Sequence, residues 1–287
     1  MIPWLRQRLE QRPEVDLYVT RRAGEAESLA SNAVRDGRDR VIAVGGDGTV
    51  QEVINGLLAG SGGELGIVPL GTGNDLARSL GLPAEPASAW KVAMGRHARE
   101  VDAARARNGA GQERWFASAG GIGFDAQVAA AMVWRRGWQA GKAGYVLTTL
   151  AELRRFANRP VTITLDDETL SRLVLFVAIA NGAYYGGGMK IAPRAEPDDA
   201  RLDICVVGDI SRLTVLREMP NLYRGTHVRN PAVSMHTAQT IRIEGDRSTL
   251  IHLDGEPFGT LPLDVRIAPG VLSVATPPGP AVTDPLR

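Results

Sequence analysis

The sequence predicts an α/β plus β fold with two domains, an open α/β domain followed by an antiparallel, β-sandwich-like domain. Three observations support this prediction. Strand and helix patterns alternate at the start of the chain, strand-like runs follow one another after about Val101, and 287 residues suffice for two compact domains. We expect the α/β domain over residues 1–104, the β-rich domain over 105–276, and a flexible, proline-rich tail over 277–287.

The first domain alternates apolar runs, typical of buried parallel strands, with segments of helical spacing. The predicted strands are Asp16–Thr20, Val41–Val44 and Leu65–Leu70. The predicted helices are Glu25–Val34, Thr49–Leu58, Asp75–Leu80 and Ala87–Met94. Ligands of such open α/β sheets bind outside the carboxyl ends of the strands, so functional residues are expected there.

The second domain consists mainly of closely spaced strand-like runs with turn residues between them, which is typical of antiparallel sheets. The predicted strands are Trp115–Ala119, Val161–Leu165, Leu173–Ala180, Leu202–Val207, Thr240–Glu244, Leu250–Asp254 and Val265–Ala268. Two helical stretches interrupt them, Gly144–Phe156 and Ser211–Tyr223.

Composition excludes several classes of protein. Hydrophobic and charged contents of 44% and 23% are ordinary for a soluble globular protein, and no run approaches the ~18 apolar residues of a membrane span. The single cysteine, Cys205, excludes an internal disulfide framework and a thiolate metal site, and it fits a reducing cytoplasm. The formal net charge of +1 argues against a nucleic-acid partner.

The strand Val41–Val44 ends in a glycine-rich turn that contains Gly45, Gly46 and Gly48, and a helix begins at about Thr49. Glycines let backbone amides approach an anion closely, and the helix start adds further donors. Because the carboxylate of Asp47 would itself repel phosphate, we expect it to act through Mg²⁺. The alternative is a tight turn with a solvated aspartate.

The next strand ends in a second turn of the same chemistry, with Gly71, Thr72, Gly73, Asn74 and Asp75. The carboxyl ends of neighbouring strands meet in one crevice, so the two turns predict a nucleotide-phosphate site. Neither turn is a Walker A loop, and the dinucleotide-binding glycine fingerprint is absent as well.

Several segments together resemble the diacylglycerol kinase catalytic-domain family, in its bacterial lipid kinase branch. The two turns lie in GGDGTVQEVINGL (Gly45–Leu57) and PLGTGNDLARSLGLP (Pro69–Pro83). The further matches are VDAA (Val101–Ala104), ASAGGIGFDAQV (Ala117–Val128), NGAYYGGGMKIAPRAEPDDARLD (Asn181–Asp203) and HLDGEP (His252–Pro257). The family is similar in fold to NAD kinases and phosphofructokinases.

The resemblance implies specific roles for residues. ATP would contact Thr20, Gly45, Gly46, Asp47, Gly48, Thr49, Glu52, Gly71, Thr72, Gly73 and Asn74. Asp47, Asp75 and Asp102 would form an acidic group that organises Mg²⁺–ATP, and Glu256 would be the general base. A separate structural Mg²⁺ would be held by Asp199 and by carbonyls of Glu196 and Arg201. Ala200 replaces the family's glycine there, which puts that metal site in doubt if the position needs a positive φ.

The implied function is ATP-dependent phosphorylation of a lipid hydroxyl, with diacylglycerol as the default acceptor and a sphingoid base, ceramide or phosphatidylglycerol as alternatives. Two other functions stay open, a NAD kinase and a non-catalytic nucleotide- or lipid-binding protein. The predicted partner is a lipid at the inner membrane surface, and a homodimer is left open. Trp134–Trp138, with Lys142 and Tyr145, combines aromatic and basic residues as interfacial contacts do, unless the tryptophans pack in the core.

The start of the chain departs from the family pattern. The family begins with a strand and an Asn-Pro-x-Ser-Gly turn, whereas Met1–Leu5 already resembles the helix that follows that turn. We expect Val41–Val44 and Asp16–Thr20 to lack a neighbouring central strand, which would leave backbone groups unpaired. Either the natural start lies upstream or the chain is an inactive version, and the intact later motifs favour the first explanation.

Overall fold

The computed structural model describes residues 3–60, 62–134 and 142–278. Over these ranges the α-helices are α1 (Pro3–Glu10), α2 (Glu25–Arg35), α3 (Asp47–Ala59), α4 (Asp75–Ser79), α5 (Pro86–Ala93), α6 (Phe124–Trp134), α7 (Lys142–Leu153) and α8 (Arg212–Arg224). A 3₁₀ turn covers His227–Arg229.

The strands in the described ranges are β1 (Arg40–Gly45), β2 (Glu64–Pro69), β3 (Ala98–Asn108), β4 (Glu113–Phe116), β5 (Ala119–Gly123), β6 (Arg159–Leu165), β7 (Glu168–Ala180), β8 (Leu202–Gly208), β9 (Val233–Ala238), β10 (Thr240–Gly245), β11 (Leu250–Leu253), β12 (Glu256–Thr260) and β13 (Leu263–Ala275).

The strands form one continuous sheet in the order β1-β2-β13-β10-β6-β7-β5-β11-β12, with β3–β4 attached to β13 and β8–β9 attached to β7. The β1–β2 and β2–β13 pairs are parallel, and the other pairs are antiparallel. The long strand β13 joins the parallel part of the sheet to the antiparallel part, because its end pairs with β2 and its beginning pairs with β10. The predicted fold class is confirmed.

Helices cover both faces of the parallel part of the sheet. On one face α3 buries Val53, Ile54 and Leu57 against Leu65 and Ile67 of β2. Their spacing places them on one side of the helix, and burying each such side chain contributes about 1.5–3 kcal/mol. On the other face, side chains of α1 and α5 pack against β2 in a smaller cluster with Leu5, Val68, Ala89, Trp90 and Ala93.

The antiparallel part encloses its own core. Strand β10 shows the reason, since Ile241 and Ile243 are buried while Arg242 and Glu244 between and beside them are exposed. This alternation places one face of each strand inward. The interior holds Phe116, Ile122, Val161, Ile163, Val177, Ile179, Leu202, Ile204, Ile251, Leu253, Leu263 and Val265.

The predicted strand Asp16–Thr20 is wrong. The segment runs without regular structure, and Leu17, Tyr18 and Val19 are 42%, 64% and 58% exposed. An apolar run becomes a strand only when a neighbour supplies ladder hydrogen bonds, and among the described strands β1 pairs with β2 alone. The absence of a neighbour for β1 in the described structure therefore agrees with the expectation from the sequence.

Other boundaries differ because long-range pairing decides them. The predicted strand Trp115–Ala119 is divided between β4 and β5, and the amides at the break donate to the side chain of Asp254, in the turn after β11. Strands β3, β9 and β12 and helix α6 were not predicted, since their sequences lack clear apolar alternation or helical spacing.

Candidate active site

The two glycine turns lie directly against each other. In the parallel register Gly45 is opposite Pro69, and the amide of Leu70 donates to the carbonyl of Gly45 at 2.8 Å. A Cβ on Gly71 would lie 2.6 Å from the Cα of Gly46, so the two backbones approach more closely than side chains allow. Neighbouring strand ends thus form one crevice, as the sequence predicts.

Asp47 joins the two turns through its carboxylate. One oxygen accepts the amide of Asn74 at 2.8 Å, and the other accepts the amide of Asp75 at 2.6 Å. The side chain of Asn74 in turn accepts the amide of Gly71 at 2.9 Å and donates to its carbonyl at 2.8 Å. The loop after β2 is therefore held in shape by Asp47, and not only by its own residues.

Asp75 is buried beside Asp47 and holds a third loop. Its oxygens accept the amides of Gly187 and Gly188 at 3.1 and 2.9 Å. Burial and, next, the charge of Asp47 raise the pKa of the Asp75 carboxyl to about 6, against the lowering effect of these amides. A Cβ on Gly73 would lie 2.6 Å from Asp47 Oδ2 and 3.4 Å from Asp75 Oδ2, so the two carboxylates lie close to this glycine. Each oxygen of the two carboxylates accepts a backbone amide in this structure.

Glu256 begins β12 after a two-residue turn. Asp254 and Gly255 both have positive φ, 47° and 85°, as the hairpin signal Asp-Gly predicts. A Cβ on Gly48 would lie 3.4 Å from Glu256 Oε1, so this carboxylate lies against the first glycine turn. The structure places Glu256 at the first position of the strand that follows this turn.

Asp254, to which the sequence assigned no role, fixes the same hairpin. Its carboxylate accepts amides of three consecutive residues, at 3.3, 3.0 and 2.9 Å, from the break between β4 and β5. Burial raises the pKa of the Asp254 carboxyl to about 6, although these amides lower it. The conspicuous Asp-Gly pair was a signal for the hairpin, but the distant amides could not be read from it.

A cleft and a cavity lie on the two sides of the first glycine turn. The cleft, of about 790 Å³, is lined by Thr20, Arg21, Arg22, Gly46, Gly48, Thr49, Glu52, Arg114 and Glu256 with their neighbours. The cavity, of about 230 Å³, has Asp47, Asp75, Asp254 and Thr72 among its polar lining residues. Its apolar lining includes Val50, Ile54, Leu76, Ala129 and Met132. The cleft wall carries charges of both signs, three arginines and three glutamates, and the cavity is smaller and largely apolar.

Glu52 lines the cleft, but its carboxylate is engaged by protein. Its oxygens accept the amides of Gly24 and Ala26 at 2.7 and 3.0 Å, at the start of α2. The Glu52 side chain therefore holds the start of α2 against α3. This structural role is additional to any contact with a nucleotide.

Asp102 is a buried carboxylate with two amide partners from distant segments. It is 2% exposed, and its oxygens accept the amides of Ala200 and Gly270, each at 2.7 Å. It is not among the described residues that line the cleft or the cavity. Asp102 therefore holds the 196–201 loop against β13, and its membership of the acidic group with Asp47 and Asp75 stays a prediction.

That loop contains the expected structural metal ligands. Ala200 has a φ of 61°, so this position adopts the left-handed backbone that favours glycine. Asp199 accepts the amide of Arg201 at 3.0 Å, and Glu196 is exposed. Burial, then the charge of Asp199, raises the pKa of the neighbouring Asp203 carboxyl to about 6. Within the described ranges, no group of three or more acidic, histidine or cysteine side chains could hold a metal.

A buried ionisable pair in the cavity wall was missed. Asp125 and His252 face each other at 3.2 Å, and both line the cavity. Both residues lie in segments that carry the family resemblance, which was the available signal, but no local pattern linked them across 127 positions.

The Trp134–Trp138 segment stays a prediction, since residues 135–141 and the side chains of Trp134, Lys142 and Tyr145 lie outside the described part. No helix of the described chain combines the length and apolar character needed to cross a bilayer.

Comparison with known proteins decides the family. The family model of the diacylglycerol kinase catalytic domain matches residues 2–106, and that of the YegS C-terminal NAD kinase beta sandwich-like domain matches residues 118–276. A protein of Mycobacterium tuberculosis named "Diacylglycerol kinase" is 35% identical over 89% of this chain and 82% of its own length. The chain belongs to this lipid kinase family, as the sequence predicts.

Other members of the lipid kinase family are also similar to this chain in sequence and in structure. A "Probable lipid kinase YegS-like" of Chromohalobacter salexigens is 30% identical over 92% of this chain and 84% of its own length. A crystal structure of a diacylglycerol kinase from Bacillus anthracis str. Sterne has a TM-score of 0.71 and 25% identity, covering 97% of this chain and 89% of that one. A second structure from that organism reaches a TM-score of 0.78 at 28% identity, covering 97% and 88%.

Proposed function

We propose that this protein transfers the γ-phosphoryl group of Mg²⁺–ATP to a hydroxyl group of a membrane lipid, with diacylglycerol as the default acceptor. The observation that carries the proposal is the position of Glu256. Its carboxylate lies against Gly48 of the phosphate turn and Glu256 lines the cleft, while the preceding Asp254 and Gly255 line the largely apolar cavity. The base thus lies where a donor in the cleft and an acceptor in the cavity would meet.

The cleft suits the nucleotide. Arg21, Arg22 and Arg114 of its wall could pair with phosphates, and Gly46 and Gly48 of the glycine turn line it. Asp47 and Asp75 lie close together beside the turns, and in the proposal they would hold the divalent cation, which would neutralise charge on the transferring phosphoryl group. Alignment and charge neutralisation are the main requirements of phosphoryl transfer, so these residues supply most of what the reaction needs.

The cavity suits the polar end of a lipid. Its volume of about 230 Å³ is below the ~300–1,000 Å³ of pockets that enclose a drug-sized ligand, so two acyl chains do not fit inside. We infer that a head group with its hydroxyl and the first chain carbons enter, and that the rest of the lipid stays in the bilayer. The protein would therefore work from the cytoplasmic side as a peripheral membrane enzyme.

Glu256 would accept the proton of the acceptor hydroxyl as its oxygen attacks the γ-phosphorus. General base catalysis of this kind contributes about 10²–10⁴-fold to a rate. The alternative is that Glu256 is an ordinary hairpin glutamate without a chemical role. The position of its carboxylate, directed at the phosphate turn rather than outward, favours the chemical role.

The experiment is a transfer assay with labelled ATP, Mg²⁺ and mixed micelles that contain diacylglycerol, a sphingoid base, ceramide or phosphatidylglycerol in separate arms. Labelled phosphatidate supports the proposal with diacylglycerol as acceptor, and label on another lipid reassigns the acceptor only. Label on NAD in a parallel arm, or nucleotide binding without turnover of any acceptor, would overturn it.

A further inference from the structure

We propose that Asp125 and His252 act as a positioning pair that fixes the Asp254–Gly255 turn and thereby aims Glu256 at the phosphate turn. The proposal rests on the role of Glu256 as general base. It concerns two residues of the cavity wall that lie outside the acidic group of the nucleotide site, and it assigns them no chemical step.

The hydrogen bonds around His252 assign its proton. The amide of Gly255 donates to Nδ1 at 3.4 Å, so Nδ1 is an acceptor and the ring proton is on Nε2. Nε2 then donates to Asp125 Oδ2 at 3.2 Å. The other oxygen of Asp125 accepts the amide of Ala126 at 2.7 Å. Because both ring nitrogens are used inside the protein, the imidazole is committed to holding the turn.

A glycine at position 121 leaves space for the Asp125–His252 pair. Gly121 is the ladder partner of His252 between β5 and β11. A Cβ on Gly121 would lie 2.3 Å from Asp125 Oδ2 and 3.1 Å from His252 Nε2, so any larger residue would displace the pair. The side chains of Asp125 and His252 are only 5% and 4% exposed, and the ring of Tyr185 stacks on His252 at 6.3 Å. The contact is therefore built into the fold, and water screens it little.

The pair completes a set of anchors along the hairpin. Gln51 of the phosphate helix donates to the carbonyl of Leu253 at 2.9 Å, and Asp254 accepts amides from the β4–β5 break. These anchors fix the chain just before Gly255, and His252 holds Gly255 itself through its amide. Glu256 is the next residue, so a shift of the apex moves the carboxylate directly. Misplacement of a reacting group by about 1 Å can cost about 10²-fold in rate.

Two substitutions test the two hydrogen bonds of the His252 imidazole one at a time. In His252→Gln the amide reaches the place of Nε2 and can still donate to Asp125, but the acceptor for Gly255 is lost. In His252→Asn the carbonyl takes the place of Nδ1 and keeps that acceptor, while Asp125 loses its donor. We expect His252→Gln to lower kcat about 10²-fold with little change in the KM of either substrate, and His252→Asn to recover most of that loss.

His236→Gln is the matched control, because this half-buried histidine of β9 bonds only locally, to Ser234 at 3.1 Å. Hydrogen exchange of the Gly255 amide is measured in all variants, and faster exchange is expected in His252→Gln than in His252→Asn. Equal kcat in the two His252 variants, or equal protection of the Gly255 amide, would overturn the positioning role. If the wild-type protein phosphorylates no lipid, the proposed function fails, whereas the exchange comparison still tests the contact.

Discussion

The cleft and the cavity beside the first glycine turn differ in size and in the chemistry of their walls. The cleft of about 790 Å³ gathers three arginines and three glutamates, whereas the cavity of about 230 Å³ gathers aliphatic side chains and buried carboxylates. Among the described lining residues Gln51 belongs to both walls, and the first glycine turn and the hairpin with Glu256 contribute residues to each. This difference suggests that each substrate has its own compartment, and that changes away from these shared elements and from Asp47 and Asp75 should leave the other substrate's binding unaffected.

The largest effect is expected where the compartments meet. Glu256→Ala should lower kcat by about 10²–10⁴-fold, because the acceptor hydroxyl loses its base, with little change in either KM. Steady-state kinetics measures this, and thermal unfolding shows that the fold survives. Glu244→Ala, an exposed glutamate of β10, is the control and should keep full activity. A nearly normal rate in Glu256→Ala would refute the role of this residue.

Lipid binding in the cavity can be weakened selectively by a larger side chain in the cavity wall. Met132→Trp should raise the KM for lipid, by an amount within the ~10–200-fold range of steric changes in apolar pockets, and leave the KM for ATP unchanged. Met132 lines the cavity from the end of α6 and lines no part of the cleft wall described here. An unchanged KM for lipid would mean that the acceptor binds elsewhere.

The cleft is weakened by removing charge. Replacing Arg21 and Arg22 together by alanine should raise the KM for ATP about 10-fold or more, since hydrogen bonds to charged groups contribute ~1.5–3 kcal/mol. The KM for lipid should not move. Arg217→Ala, on the exposed surface of α8, controls for a general loss of positive charge. Equal effects on both substrates would argue against separate compartments.

Acidic pH should stabilise the protein through Asp75, a buried carboxyl in the cavity wall. Its folded pKa of about 6 lies above the ordinary value of 3.8, so the folded state binds the proton more tightly. The resulting stability is fully present below the lower value and is lost as pH rises through about 6, by at most about 1.4 kcal/mol per pH unit. Urea unfolding at pH 5 and 7, without nucleotide or divalent cation, should show this gain, and Asp75→Asn should reduce it. An unchanged pH dependence in that variant would contradict the assignment.

The smallest effect concerns the 196–201 loop, which lies outside both compartments. Ala200 has a left-handed backbone, so Ala200→Gly should stabilise the fold by roughly 0.5–1 kcal/mol after the entropy of glycine is subtracted. Urea unfolding measures the change, and both KM values should stay constant. Destabilisation would show that the methyl group makes contacts that outweigh the strain.

Local chemistry predicted the glycine turns well, because a strand end, glycines and a helix start occur together within a few residues. The same local chemistry could not place Asp102, whose amide donors are Ala200 and Gly270. Nor could it link Asp125 with His252, or show that Asp16–Thr20 lacks a ladder partner among the described strands. Each of these facts depends on contacts between segments that are far apart in the chain.

The most direct test of separate compartments varies ATP and diacylglycerol independently for the wild-type protein, Met132→Trp and the Arg21/Arg22 double variant. Separate compartments predict that the first variant raises only the KM for lipid and the second raises only the KM for ATP. If both variants raise the same KM, or if each raises both, the assignment of the cleft to the nucleotide and the cavity to the lipid is contradicted.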